Sequence, residues 1–440
     1  MLKVLKFGGS SMADARQFEK VKSIVQADPA RRVVIVSAAG KRFSDDHKLT
    51  DLLYLCHAHL KYGVSCDNVF DMIRSRYMEI RDDLGLQTDL ETEFDALRRK
   101  MDKGISQDEL VSRGEYFAAQ LMADYLGYDF LDSELWLKFN LDGTVDQETS
   151  YEALSRAASG RRVVIPGFYG TMPDGTIKTF TRGGSDITGA LAAAALNADV
   201  YENWTDVSGF LMADPRIVKN PKQIETISYK ELRELSYMGA SVLHEDAIYP
   251  ARMANVPINI RNTNDPEDPG TMITAESQVD SDNGGGIITG IAGSKDFTVV
   301  ALYKNMMSSE RGFVRRILGI LDDYDINFEH LPSSIDTVSV VMSKKALGDR
   351  LDEVLEAFRQ RLQPDSIDVF ENIALIATVG HRMTYRPGVS AKLFNALGEA
   401  KVNIRMIDQG SSEMNIIVGV ENKDFEKAIR AIYDTFVEEE

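Results

Sequence analysis

Short apolar, β-branched runs alternate along the chain with longer stretches of helical period. Leu2 to Phe7 reads as a strand, Gly8-Gly9-Ser10-Ser11 as a turn, and Phe18, Val21, Ile24 and Val25 then recur on one helical face. Arg32 to Ser37 is a second apolar run, followed by Ala38-Ala39-Gly40, and Arg162 to Pro166 repeats the theme before Gly167. This strand–loop–helix rhythm predicts an α/β domain with a mainly parallel, buried sheet. Ligands of such sheets sit at the carboxyl ends of the strands, where these glycine loops fall.

From Asp280 to Gly286 the pattern gives way to Asp-Ser-Asp-Asn-Gly-Gly-Gly, a polar stretch that reads as a domain boundary. Beyond it the chain repeats itself. Gly312 opens a helical pattern through Phe313, Ile317, Leu318 and Leu321, with Asn327 after it; Gly388 opens another through Val389, Leu393, Phe394 and Leu397, with Asn403 after it. Both offsets, 388 − 312 and 403 − 327, are 76. Two copies of a ferredoxin-like β-α-β-β-α-β unit are therefore expected, over 298–371 and 374–436. The first copy has a sixth element, Ser366 to Phe370, and the second runs out at Phe436 without one. Ile287 to Ala292 is expected to fill that vacancy, because an open sheet edge invites aggregation. The expected domains are 1–284, 297–371, and 287–292 plus 372–440.

Composition narrows the function. A net charge of −18 over 440 residues, with no basic patch, argues against nucleic acid as a partner. The two cysteines, Cys56 and Cys66, form no C-x-x-C pair and suit a reducing compartment. No apolar run is long enough for a signal peptide or a membrane span, so a cytoplasmic protein is expected.

An acidic protein that handles anions must gather its cations locally, which makes lysine or arginine in a glycine loop informative. Lys6-Phe-Gly-Gly-Ser-Ser11 follows the first strand and precedes a helix, so backbone N–H groups would face an anion. Ser37-Ala-Ala-Gly40 follows another strand, and Thr181-Arg-Gly-Gly-Ser-Asp186 precedes the alanine-rich helix Ile187 to Leu196. One such loop is more often a bare turn. Three in one α/β domain, two of them carrying a cation, point to phosphate or carboxylate chemistry. Neither the G-x-x-x-x-G-K-[ST] loop nor the protein-kinase signatures occur.

Lys6-Phe-Gly-Gly-Ser-Ser, Ser112-Arg-Gly-Glu115, Arg182-Gly-Gly-Ser-Asp186, Thr205-Asp-Val-Ser-Gly-Phe-Leu-Met-Ala-Asp-Pro-Arg216 and Gly239-Ala-Ser-Val-Leu-His244 fall in the order seen in aspartate kinases. The chain resembles that family over essentially its full length, and the duplicated unit resembles its paired ACT domains. The resemblance implies an amino-acid kinase fold, a mainly parallel sheet sandwiched by helices. It implies ATP-dependent phosphorylation of the side-chain carboxylate of L-aspartate, the first step toward lysine, threonine and methionine. Lys6 would neutralise the transferring phosphoryl group, with Asp186 orienting Lys6. Glu115 would pair with the substrate ammonium and Arg182 would hold a substrate carboxylate. Ser37, Thr50 and Ser185 would complete the aspartate pocket. Gly8, Gly9, Ser10, Thr205, Asp206, Phe210, Asp214, Arg216 and Ser241 would line the nucleotide. Mg²⁺ would be held mainly by the ATP phosphates rather than by the protein.

Two positions depart from the family pattern. Ser241 stands where a lysine is frequent, and Glu245 stands where proline is. Lys41 is either a replacement cation for the first or a solvated loop lysine. His57 and His59 are two apart and diverge on a helix, so they read as ordinary helix residues rather than metal ligands. His244 reads as a packing or hydrogen-bonding residue.

In the first repeat, Met306, Gly312, Asn327, Glu329 and Ser334 are the candidates for binding an amino-acid effector, for which the resemblance favours lysine. It also implies a homodimer through the ACT domains, or a tetramer. Two other readings are a catalytically dead amino-acid sensor, marked by Ser241, and a kinase of glutamate or another small acid. A fused homoserine dehydrogenase is not expected, since 440 residues leave no room for a dinucleotide domain.

Overall fold

A computed structural model describes residues 1–239, 245–275 and 286–438. The chain divides into two units. The first gathers Met1–Phe210, Gln223–Tyr229 and the described part of Val242–Ser281; the second gathers Leu211–Lys222, the described part of Lys230–Ser241, and that of Asp282–Glu440. Two short segments from within the first 284 residues, Leu211–Lys222 and the described part of Lys230–Ser241, thus pack with the C-terminal part.

The first unit is built on an eight-stranded sheet. Its strands lie in the order Thr226–Ser228, Thr271–Thr274, Ile258–Asn262, Val200–Thr205, Lys3–Phe7, Arg31–Val36, Val163–Pro166, Asp129–Phe130. Every neighbouring pair is parallel except Ile258–Asn262 with Thr271–Thr274. Alternation along the strands separates the two faces. Leu5, Phe7, Val34, Val36 and Trp204 pack into one core with Phe18, Val21, Ile24 and Val25 of the helix Ala15–Gln26. That helix starts where Asp14 accepts a hydrogen bond from the Gln17 N–H, at 3.0 Å. The same core takes in Leu53, Tyr77, Phe94 and Phe117 from the helices Leu49–Lys61, Asp67–Asp83, Leu90–Asp102 and Gln107–Leu126. On the opposite face the helix Gly184–Ala195 packs across the strands Lys3–Phe7, Arg31–Val36 and Val200–Thr205.

A buried ionic knot pins the sheet centre. Glu202, 1% exposed, receives Arg31 Nε at 2.9 Å and Nη2 at 3.2 Å. Lys3 Nζ lies 3.1 Å away and the Trp204 indole N–H donates at 3.0 Å. Removing one partner strands the other charges in the core. Glu202→Ala is expected to lower stability by about 3–5 kcal/mol, read as a lower urea midpoint at unchanged m-value.

The second unit carries a five-stranded antiparallel sheet in the order Thr337–Ser343, Gly290–Tyr303, Ser366–Val379, Asn415–Glu421, Met406–Asp408. Two 14-residue strands run through both repeats. Phe297–Tyr303 pairs with Thr337–Ser343, whereas Gly290–Ala292 pairs with Ala377–Val379. Each repeat keeps its own core. One packs Phe313, Ile317 and Leu321 against Val300, Val338 and Phe358. The other packs Leu393, Leu397 and Ile429 against Ile291, Ile376 and Val418, and takes Ala213 and Val218 from the segment Leu211–Lys222. Gly312 (φ 76°) and Gly388 (φ 93°) are both left-handed caps at the starts of 11-residue helices, Phe313–Asp323 and Val389–Glu399.

Candidate active site

Register aligns the carboxyl ends of the central strands. Phe7 lies beside both Trp204 and Val36, and Val36 beside Pro166, so the loops that follow leave from one edge of the sheet. After Phe7 the chain turns through a single 3₁₀ turn, Gly9–Met12, tied down where Ser11 Oγ meets Thr263 Oγ1 at 2.8 Å. The next loop packs on it backbone to backbone. The Gly40 N–H donates to the Gly9 carbonyl at 2.8 Å, and a Cβ at Gly40 would fall 2.5 Å from the Gly9 carbonyl carbon. Only glycine fits there.

Lys6 and Asn203 are register partners on adjacent parallel strands, so their side chains leave the same face. Asp186, in the first turn of the helix Gly184–Ala195, receives both: Lys6 Nζ at 2.6 Å and Asn203 Nδ2 at 2.8 Å, on the same Oδ1. Lys6 is buried and Asp186 is partly open. A Cβ placed on Gly8 would lie 3.5 Å from Lys6 Nζ, which puts the ammonium directly beside the glycine turn. A cation is thus held against the glycine turn at the carboxyl end of the sheet. The turn before Asp186 needs Gly183 in the left-handed region, φ 57°.

Glu115 comes from the middle of the 20-residue helix Gln107–Leu126. Its carboxyl group is buried beneath the Ser37–Gly40 loop and accepts a hydrogen bond from the Ala38 backbone, while Oε2 has no partner among the described residues. Burial pushes its pKa up to about 8. The helix approaches closely because residue 114 is glycine: a Cβ there would sit 2.8 Å from the Ala38 Cβ. A buried carboxyl with an open oxygen is a receptor for a cation or a hydrogen-bond donor.

Other residues singled out in the sequence fall around these. Ser37, partly buried, follows Val36, with its N–H on the Phe7 carbonyl at 3.1 Å. Thr50 is partly buried in the first turn of Leu49–Lys61, whose Leu49 N–H donates to the Ala39 carbonyl at 3.2 Å. Ser185 is buried against Gly167, and Arg182 is exposed on the turn before it. Ser10 is partly buried within the 3₁₀ turn. Thr205 ends its strand and Asp206 beyond it is exposed. Phe210 is buried, its N–H on Thr271 Oγ1 at 2.8 Å.

Asp214 and Arg216 pair with each other at 2.6 Å in a segment that packs in the second unit. Ser241 and His244 lie outside the described residues. Lys41 is exposed and donates to the Ser44 carbonyl at 3.1 Å, the partner of an ordinary loop lysine. His59 is partly buried and bonded to the Ser65 carbonyl at 3.0 Å.

In the second unit, Met306 is exposed in the left-handed region and Gly312 caps its helix. Asn327 and Ser334 are exposed, and Glu329 accepts the Tyr237 hydroxyl. Beside Glu329, His330 Nδ1 lies 2.6 Å from Asp408 Oδ2, joining the first repeat to the second.

Sequence reasoning missed Asn203, and with it the second donor to Asp186. The signal was present: Glu202 and Asn203 are polar residues inside an apolar strand, where a polar side chain needs a partner. It also passed over Arg76 and Tyr77, whose partners lie 30 or more residues away, and Asp46, which Arg76 reaches across that distance.

Known proteins agree with this architecture. The chain belongs to the amino acid kinase family, whose model matches residues 1–262, and an ACT domain model matches residues 376–436. Within that class it is an aspartokinase, an ATP-using enzyme that phosphorylates aspartate. It is 37% identical to aspartokinase 3 of Bacillus subtilis, over 99% of this chain and 98% of that protein. The aspartate kinase of Clostridium acetobutylicum matches in structure at a TM-score of 0.92 and 50% identity, over 99% of both chains. Escherichia coli aspartokinase III in complex with aspartate and ADP matches at 0.72 and 27% identity, and with lysine and aspartate at 0.75 and 26%, each over 99% of both chains. Among the described residues no helix is long and apolar enough to cross a membrane.

Proposed function

We propose that the Lys6 cluster and the buried Glu115 are the two halves of one phosphotransfer site, with MgATP on the glycine turn and aspartate beneath the Ser37–Gly40 loop. The observation that carries this is the pairing of a buried, oriented cation with a buried carboxyl that has one free oxygen. Gly9 and Ser10 offer amides to the phosphates, Gly8, whose own N–H is held by the Trp204 carbonyl at 3.0 Å, lets the backbone approach, and Lys6 faces the oxygens on which negative charge is shared during transfer. Glu115 takes the substrate ammonium, Arg182 takes its α-carboxylate, and Ser37, Thr50 and Ser185 close the pocket.

The side-chain carboxylate, ionised near neutral pH, needs no general base. Its oxygen attacks the γ-phosphorus as the bond to the bridging oxygen of ADP breaks. The metal travels on the nucleotide: Asp186, the carboxylate beside Lys6, is already engaged by two donors. Thr205, Asp206 and Phe210 serve the nucleoside side, and the parts given to Asp214, Arg216 and Ser241 rest on the sequence motif.

Regulation is placed in the second unit, with lysine as the effector at Met306, Gly312, Asn327, Glu329 and Ser334, in a cytoplasmic homodimer with catalytic and regulatory boundaries near 284, 297 and 372. The relative solved with lysine and aspartate supports this choice of effector. The test is ADP release with aspartate or glutamate, each with and without lysine. Aspartate is expected to be preferred about 10- to 200-fold, the range one methylene can supply in a fitted pocket, and lysine to suppress turnover. Equal rates with both acids would remove aspartate as the specific acceptor; indifference to lysine would remove lysine as the effector.

A further inference from the structure

The helix Asp67–Asp83 has no part in the chemistry above, yet it presents two adjacent side chains to the acceptor pocket. Tyr77 is fully buried. Its hydroxyl donates to the Gly114 carbonyl at 2.6 Å and accepts the Ala39 N–H at 3.4 Å. One hydroxyl thereby joins the loop that would hold the substrate to the residue next to Glu115. Arg76, also buried, sends Nη2 to both oxygens of Asp46, at 2.9 and 2.8 Å, and Nη1 to the Gly40 carbonyl at 3.2 Å. Asp46 in turn accepts the Arg42 backbone N–H at 3.0 Å. The segment 39–46 is thus fastened to this helix at three points, two at its start, Ala39 and Gly40, and one at its far end, Asp46.

We infer that Tyr77 and the Arg76–Asp46 pair are positioning residues of the acceptor pocket, setting the distance between the Ser37–Gly40 loop and Glu115 and so the affinity for the acceptor amino acid. The inference rests on the reading of Glu115 as the ammonium receptor. A structural role alone does not require this arrangement. The Tyr77 ring already packs against the Phe94–Phe117 pair, with centroids at 6.5 and 5.7 Å, so the hydroxyl is not needed to fill the core. Its two partners flank the pocket rather than the helix that carries it. Arginine at 76 serves two acceptors through a planar fork, which a lysine cannot do.

The test compares Tyr77→Phe, Arg76→Lys and Glu115→Gln in the full-length enzyme, measuring KM for aspartate, KM for ATP, kcat and thermal midpoint. Tyr77→Phe keeps the ring and unpairs one buried carbonyl and one buried N–H. Arg76→Lys keeps the charge and gives up one of the two acceptors. Each is expected to raise the aspartate KM about tenfold and to leave the ATP KM within about twofold, its phosphate contacts being intact. KM does not depend on the folded fraction, so a partial loss of stability does not blur the result. An unchanged aspartate KM in Tyr77→Phe beside a raised one in Glu115→Gln would overturn the clamp and spare the pocket. An unchanged aspartate KM in Glu115→Gln would overturn the pocket and the clamp with it. A fall in kcat and thermal midpoint alone, with both KM values steady, would reduce these residues to scaffold.

Discussion

Lys6→Ala lowers kcat by about 10²- to 10³-fold, the range for deleting one preorganised donor from a site where charge develops. Its ammonium is buried and fixed by Asp186 at 2.6 Å, so it costs no reorganisation at the moment of transfer. The loss should fall mainly on kcat, because amides of the glycine turn still bind the phosphates in the ground state. Asp186 supplies the sharper check. With Lys6 gone, Asn203 is the side-chain donor left to Asp186 among the described residues, and an unneutralised carboxylate faces the nucleotide. Asp186→Ala alone lets the lysine wander and is expected to cost about tenfold in kcat, less than the loss of the cation itself. In the double variant the two losses should not multiply, since removing Asp186 also removes the repulsion that Lys6→Ala exposes. ADP release from the two single variants and the double variant closes the cycle. Strict multiplication of the two effects would mean that the 2.6 Å pair is not used in the reaction.

How much of this was legible in the sequence depends on the range of each interaction. Periodicity marked Phe18, Val21, Ile24 and Val25 as one buried helical face, and all four are buried. Repetition at an offset of 76 marked Gly312 and Gly388, which occupy the same left-handed cap in their two helices. These are local facts, fixed by residues three or four apart or by copies of one pattern. What periodicity cannot give is the partner of a face. Nothing in the run Leu211–Lys222 says that Ala213 and Val218 complete a core with Leu393 and Ile429. Nor does Lys6 announce Asn203, because register between strands nearly 200 residues apart is set by the whole sheet.

The candidate site divides along the same line. The glycine turns and the motif residues could be read directly, since each is a short run with its own backbone demands. The buried polar groups that fasten those runs, Asp46, Arg76, Tyr77 and Asn203, look in sequence like ordinary surface or core residues. Only packing shows that they are buried and what they hold. Function concentrates on the legible part because a loop must present specific atoms. Its support is spread over the fold, where many sequences would do.

Glu115 gives the largest expected response to pH. Burial raises its pKa from 4.5 to about 8, so the empty enzyme near neutral pH holds it mostly protonated. A substrate ammonium favours the ionised form, and binding must then expel the proton. The aspartate KM should therefore fall as pH rises from 6 through about 8 and level off above it. Calorimetry near pH 7 in buffers of different ionisation enthalpy should register that proton release. Glu115→Gln removes the charge and the titration together. Its aspartate KM is expected to rise about 10- to 100-fold above pH 8, the worth of one charge-assisted hydrogen bond, and to lose its pH dependence between 6 and 9.

The same shift predicts stability with the opposite sign. The folded pKa lies above the unfolded value, so the contribution is full below about pH 4.5 and is lost as pH climbs through about 8. Ligand-free wild type should accordingly lose more stability between pH 5 and 9 than Glu115→Gln does, read from urea midpoints at the two pH values. Saturating aspartate should shrink that difference, because the ammonium stabilises the ionised carboxylate that burial alone disfavours. A pH-independent aspartate KM in the wild type, together with equal pH–stability profiles for the two proteins, would mean that Glu115 is not the group the ammonium meets.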